Sequence, residues 1–99
     1  LKEPNIEGQA SGAIADLIQD SDPARANRLY REAVRIAQIS GDASLAGTSH
    51  LNLGIWLLVT GHWREARERF QAAMSAAEQA NEPETQAEAL AMIGQTYIQ

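Results

Sequence analysis

The side chains in this 99-residue chain best suited to proton transfer or metal binding near neutral pH are its two histidines, His50 and His62. A catalytic or metal role would need partners converging on each ring and a second group to orient it. The histidines fall on different expected helices, and nothing in the spacing brings them together, so both are read as partly exposed helix or loop residues. Asp16 and Asp20 share one helix face at i,i+4. That pair reads as a solvated patch, because acid/base work requires two carboxyl groups in different environments. No GxGxxG, GxxxxGK[ST], HExxH or GxSxG pattern occurs, and there is no cysteine. An enzyme is therefore not expected, nor is a catalytic residue, a cofactor or a metal site.

Arg25, Arg28, Arg31 and Arg35 form the one basic stripe. They could be taken for a phosphate rail, but the chain carries a net charge of -5 and the stripe has no interleaved aromatic for base stacking. Arg28 and Glu32 are spaced as an i,i+4 pair, as are Arg64–Glu68 and Glu65–Arg69, each worth a few tenths of a kcal/mol. The stripe thus reads as a solvated face, with an acidic partner as the alternative, and nucleic acid is not an expected partner. A membrane is not expected either. The longest apolar run, Ile55 to Val59, is far short of the roughly 20 residues that span a bilayer. No basic-then-apolar leader opens the chain, so a cytoplasmic location is expected. Because it begins at Leu1 and ends on a helical pattern, a piece of a longer protein is expected.

The elements that position these residues follow from punctuation. Asp22-Pro23 is a helix start, with a capping carboxylate and a proline where a missing N–H costs nothing. Gly41 and Gly61 supply left-handed stops, Asp42 can cap the next helix, Asn81 closes another and Glu82-Pro83 opens the last. Helices are expected near 8–20, 23–40, 43–60, 63–80 and 84–98, joined by loops too short for anything but antiparallel neighbours. The fold class is all-α.

A 40-residue period runs through them. Ala26, Tyr30 and Ala33 recur as Ala66, Phe70 and Ala73, and Leu53-Gly54 and Leu57 recur as Ile93-Gly94 and Tyr97. The same shift assigns Ala13, Ile14 and Leu17 to the first-repeat core. Ala26, Leu29, Tyr30, Ala33, Val34 and Ala37 make one apolar stripe, and Ala66, Phe70, Ala73, Met74 and Ala77 another. Alternating small and large residues suits a close helix crossing.

Leu53-Gly54, Leu57, Gly61, Trp63, Glu65-Ala66, Phe70 and Ala73 resemble, in order and spacing, the signature of the tetratricopeptide repeat (TPR) family. The usual period is about 34 residues. The longer one here is similar to repeats in kinesin light chains, spindle-orienting cortical adaptors, and bacterial signal-transducing ATPases and transcription activators. Ile14 replaces the first-repeat glycine, and Trp56 stands where the family keeps a small residue. The resemblance implies a superhelix of antiparallel hairpins at about 8–40 and 43–80 plus a half-repeat at 84–98, about two and a half repeats in a single domain. It also implies a protein-binding scaffold whose concave face holds a peptide or partner helix. The family's carboxylate-clamp positions correspond to Ser11, Ala15, Leu51, Ile55, Ala91 and Gln95, none cationic, so clamping is not expected.

The expected partner-binding residues are Leu51, Asn52, Ile55, Leu58 and Val59. Residues 51, 55 and 58 share a face at i, i+4, i+7, with Asn52 and Val59 bordering it. Five consecutive apolar residues at 55–59 point all around a helix. Either the helix is central and packed on both sides, or part of it is an exposed groove. The alternative function is a helical sensor or oligomerisation segment of a signal-transducing regulator, switched by a small ligand or peptide. A homodimer through helix 84–98, burying Ile93 and Tyr97, is also expected.

Overall fold

In the computed structural model, which describes residues 4–98, five α-helices follow in order: α1 (Pro4–Ile18), α2 (Pro23–Ser40), α3 (Ala43–Val59), α4 (Trp63–Gln79) and α5 (Pro83–Gln95). All regular structure among the described residues is helical. The stops and starts lie where the local chemistry requires them. Asp22 accepts a hydrogen bond from the Arg25 amide and Asp42 from the Leu45 amide, satisfying free donors of α2 and α3. Gly41 (φ 68°), Gly61 (φ 89°) and Asn81 (φ 58°) take the left-handed conformation that ends α2, α3 and α4.

Consecutive helices pack together across these short turns, α1 on α2, α2 on α3, α3 on α4 and α4 on α5. α3 also touches α1 and α5, so it contacts all four other helices. This central position explains the apolar run at its end. Trp56 and Leu57 are buried, Ile55 and Leu58 are half-buried, and only Val59 is largely exposed. The predicted stripes of α2 and α4 are the core: Ala26, Tyr30, Ala33, Val34 and Ala37 on one, Ala66, Phe70, Ala73 and Ala77 on the other. Glycines bring α3 close to α4. A Cβ on Gly47 would lie 3.5 Å from the Ala77 backbone nitrogen, and one on Gly54 would be driven into the Phe70 ring. Trp56 is accommodated by its neighbours, its Nε1–H donating to Asn27 Oδ1 at 3.2 Å and its ring lying 5.7 Å from that of Tyr30.

Three boundaries differ from the sequence reading by two or more residues, and one register differs as well. α1 begins at Pro4 and ends at Ile18 rather than spanning 8–20. α5 stops at Gln95, short of 98, because the Thr96 hydroxyl and amide both bond back to the Ile93 carbonyl. In α1, Ile14 is exposed, Leu17 is 83% exposed and Ala13 is also exposed, so the 40-residue shift misplaces them; Gly8, Gly12 and Ala15 are buried instead. The stretch from Ile18 to the Asp22 cap is one residue longer than that from Val59 to the His62 cap. One extra residue rotates a helix face by about 100°.

Candidate functional site

A cleft with a volume of about 200 Å³ lies where α1, α2 and α3 meet. Gly8, Gly12 and Asp16 of α1, Tyr30 of α2, and Leu45 and Asn52 of α3 contribute to its lining. Glycine on α1 is what opens it. At Gly8 the two helices are in close contact, since a Cβ there would sit 2.8 Å from Leu45 Cδ2. One turn later a Cβ on Gly12 would meet only Asn52 Nδ2, at 3.7 Å, and the space widens.

Gln9, Thr48 and Ser49 also line this space, and two further polar features stand out, one of them at the exposed Asp16. The Tyr30 hydroxyl donates to Asp16 Oδ1 at 2.5 Å, a short, charge-assisted bond. Burial, reinforced by the hydrogen bond to Asp16 and its charge, holds the Tyr30 phenol well above its usual pKa, so it remains a donor. Asn52 is half-buried and has no hydrogen-bond partner among the described residues. The resemblance and the periodicity together singled out Asn52; Asp16 and Asp20, read as a solvated patch, are both exposed, and packing also brings Asp16 to the cleft.

The other expected binding residues are not gathered there. Leu51 is 6% exposed and belongs to the core, a correction to its assignment as a surface contact. Ile55 and Leu58 are half-buried against the same core, and Val59, 68% exposed, lies at the last turn of α3. The cause is the central position of α3, whose supposed open side is flanked by α1 and α5. Ala15, a comparable clamp position, is likewise fully buried.

His50 is buried rather than partly exposed, and its Nδ1 has no hydrogen-bond partner. Desolvation, with the Arg69 charge as a lesser cause, lowers its pKa below the ordinary 6.5. The neutral ring is the form the fold accepts, so the unfolded chain binds the proton more readily. Stability is full above pH 6.5 and is lost as pH falls below it toward the depressed folded value. Denaturation midpoints measured from pH 7 to pH 5 should fall for the native chain and stay flatter for His50→Gln. Parallel curves would remove His50 as the cause. His62 is exposed, its Nδ1 3.1 Å from Thr60 Oγ1.

The arginine stripe is partly engaged. Arg31 bridges α2 to α4 through Glu65, at 2.9 Å, and Glu32 pairs with Arg35 rather than with Arg28. Arg31 withdraws Glu65 into the charged state by hydrogen bonding first and its charge second, lowering that carboxyl's pKa. Arg69 also approaches Glu65, at 3.8 Å, as the spacing predicts, whereas Arg64 lies over the Trp63 ring. Such half-exposed pairs contribute under about 1 kcal/mol each.

Arg67 makes the contact sequence reading missed. Its guanidinium lies 3.6 Å from the Tyr97 ring centre and 5.2 Å from that of Trp63, and it donates to Thr96 Oγ1 and to the Thr96 carbonyl. This ties the end of α5 to α4. The i,i+4 spacing of Trp63 and Arg67 was a visible signal for half of it. Of the two residues expected at a dimer face, Ile93 packs partly on the core, while Tyr97 is exposed.

No protein-family model, curated protein or solved structure matches the chain. Among the described residues no group of three or more His, Asp or Glu is placed to hold a metal ion, and no helix is long and apolar enough to cross a membrane.

Proposed function

We propose that this chain is a TPR-type array of helical hairpins acting as a protein-binding scaffold, and that it engages an extended peptide segment at the cleft between α1 and α3. The observation that carries this reading is a glycine-lined cleft bordered by a half-buried asparagine amide with no hydrogen-bond partner among the described residues. An asparagine can both donate to and accept from a peptide backbone, which fixes direction and register. The hairpin geometry supports the resemblance: small residues on α4 pack beneath glycines of α3, and Gly54 faces the Phe70 ring.

Size separates this reading from its rival. A sensor for a small ligand would use the same polar groups, but pockets that enclose drug-sized ligands run to about 300–1,000 Å³. The cleft's volume of about 200 Å³ suits one side chain of a longer partner. Peptides selected from a random library against the full chain should lose about 1–2 kcal/mol of affinity for Asn52→Ala, the worth of one buried hydrogen bond. The melting temperature should hardly move, because Asn52 has no hydrogen bond to lose among the described residues. A large drop in melting temperature with affinity unchanged would make Asn52 structural and the cleft irrelevant to binding.

A further inference from the structure

The chemistry of the cleft restricts which side chain it takes. Ala33 and Leu45, both buried, wall it with apolar surface, and the glycines of α1 leave backbone rather than side chains along its floor. Beside Gln9, Thr48 and Ser49, its lining carries an acidic group and an amide that are incompletely used. Asp16 Oδ1 accepts the hydrogen bond of the Tyr30 hydroxyl, while Oδ2 has no hydrogen-bond partner among the described residues, and Asn52 has none at all among them. No lysine or arginine among the described residues lines the cleft, and the chain as a whole is acidic.

An anionic group entering would face the Asp16 carboxylate with no compensating cation. An apolar side chain would strip water from Oδ2 and from the Asn52 amide without replacing the lost bonds. A cation with an aliphatic stem satisfies both walls and polar groups. With one acceptor site of Oδ1 engaged by Tyr30, a guanidinium fork would have to share that oxygen, whereas the compact ammonium of lysine can use Oδ2 alone, which favours lysine over arginine.

We propose that the cleft receives a lysine side chain of an extended partner segment, with Ala33 and Leu45 flanking its methylenes and Asp16 Oδ2 and the Asn52 amide oxygen accepting its ammonium protons. This rests on the cleft being the peptide-binding site. The test is selection of a displayed random-peptide library against the full chain, followed by resynthesis of the enriched peptides. A single dominant lysine is expected. Its replacement by Nε-acetyl-lysine should weaken binding at least about tenfold, as loss of a charge-assisted bond does. Asp16→Asn, which keeps an acceptor for Tyr30, should weaken the unmodified peptide similarly while leaving the acetylated peptide unaffected, with a thermal melt checking that the variant folds. The acetyl-lysine comparison uses the native protein and stands even if Asp16→Asn does not fold. Enriched peptides that lack lysine but depend on Asn52 would overturn the lysine assignment and leave the scaffold reading intact. Failure to enrich any peptide would overturn both.

Discussion

Replacing Phe70 with alanine is expected to lower folding stability by about 3–5 kcal/mol, the range for truncating a buried aromatic side chain. Phe70 is the largest side chain of the fold with essentially no solvent exposure, and it lies between the α3 backbone and the core of α4. Collapse into the void is obstructed, since the residues around it are small: Gly54 opposite, Ala66 and Ala73 along the same face. Domains of this size have total stabilities of about 5–15 kcal/mol, so the loss would take the chain close to unfolding at ambient temperature. Urea denaturation followed by circular dichroism measures it directly. A loss under about 1 kcal/mol would show that the ring is not a keystone of the α3–α4 interface.

The second large effect comes from the opposite side of the same contact. Gly54→Ala places a Cβ 2.5 Å from Phe70 Cε1, 2.7 Å from Cδ1 and 3.0 Å from Cζ. The obstacle is the side of a fully buried ring rather than the tip of a flexible chain, so α3 must lift from α4 or the ring must move into occupied space. Overpacking of this kind costs about 1–3 kcal/mol. A control of opposite sign exists in the same fold. At Gly94 in α5 an added Cβ meets nothing within 4 Å, and Gly94→Ala should stabilise by up to about 1 kcal/mol through helix propensity. If both substitutions move the denaturation midpoint in the same direction, the close approach of α3 to Phe70 is not what the glycine serves. Combining Gly54→Ala with Phe70→Ala should cost less than the sum of the two, because the clash requires the ring.

The helices themselves were legible because their signals are local. Asp22-Pro23, Gly41, Gly61 and Asn81 act through bonds and dihedral angles within a few residues, and they end and begin helices where the sequence places them. The stripes of α2 and α4 were equally legible, since 3.6-residue periodicity places Tyr30 and Phe70 on the buried side without knowledge of what they touch. Which face of α3 is exposed was not. Its apolar residues point all around the helix, so periodicity cannot say which side is covered, and Leu51 proved to be core.

What the sequence by itself determined is therefore the helix count, the class, the turn chemistry and the inward faces of the two amphipathic helices. Tertiary structure alone decided three things. One additional residue in the first turn rotates α1, burying Gly12 and Ala15 and turning Leu17 outward, an effect invisible to a search for repeats. Packing brings Asp16 to Tyr30 and Arg67 to Tyr97, pairs 14 and 30 residues apart whose meeting depends on how helices cross rather than on spacing. The third is the cleft. Its existence follows from the absence of side chains at glycines of α1, and a missing side chain becomes a space only when neighbouring helices surround it.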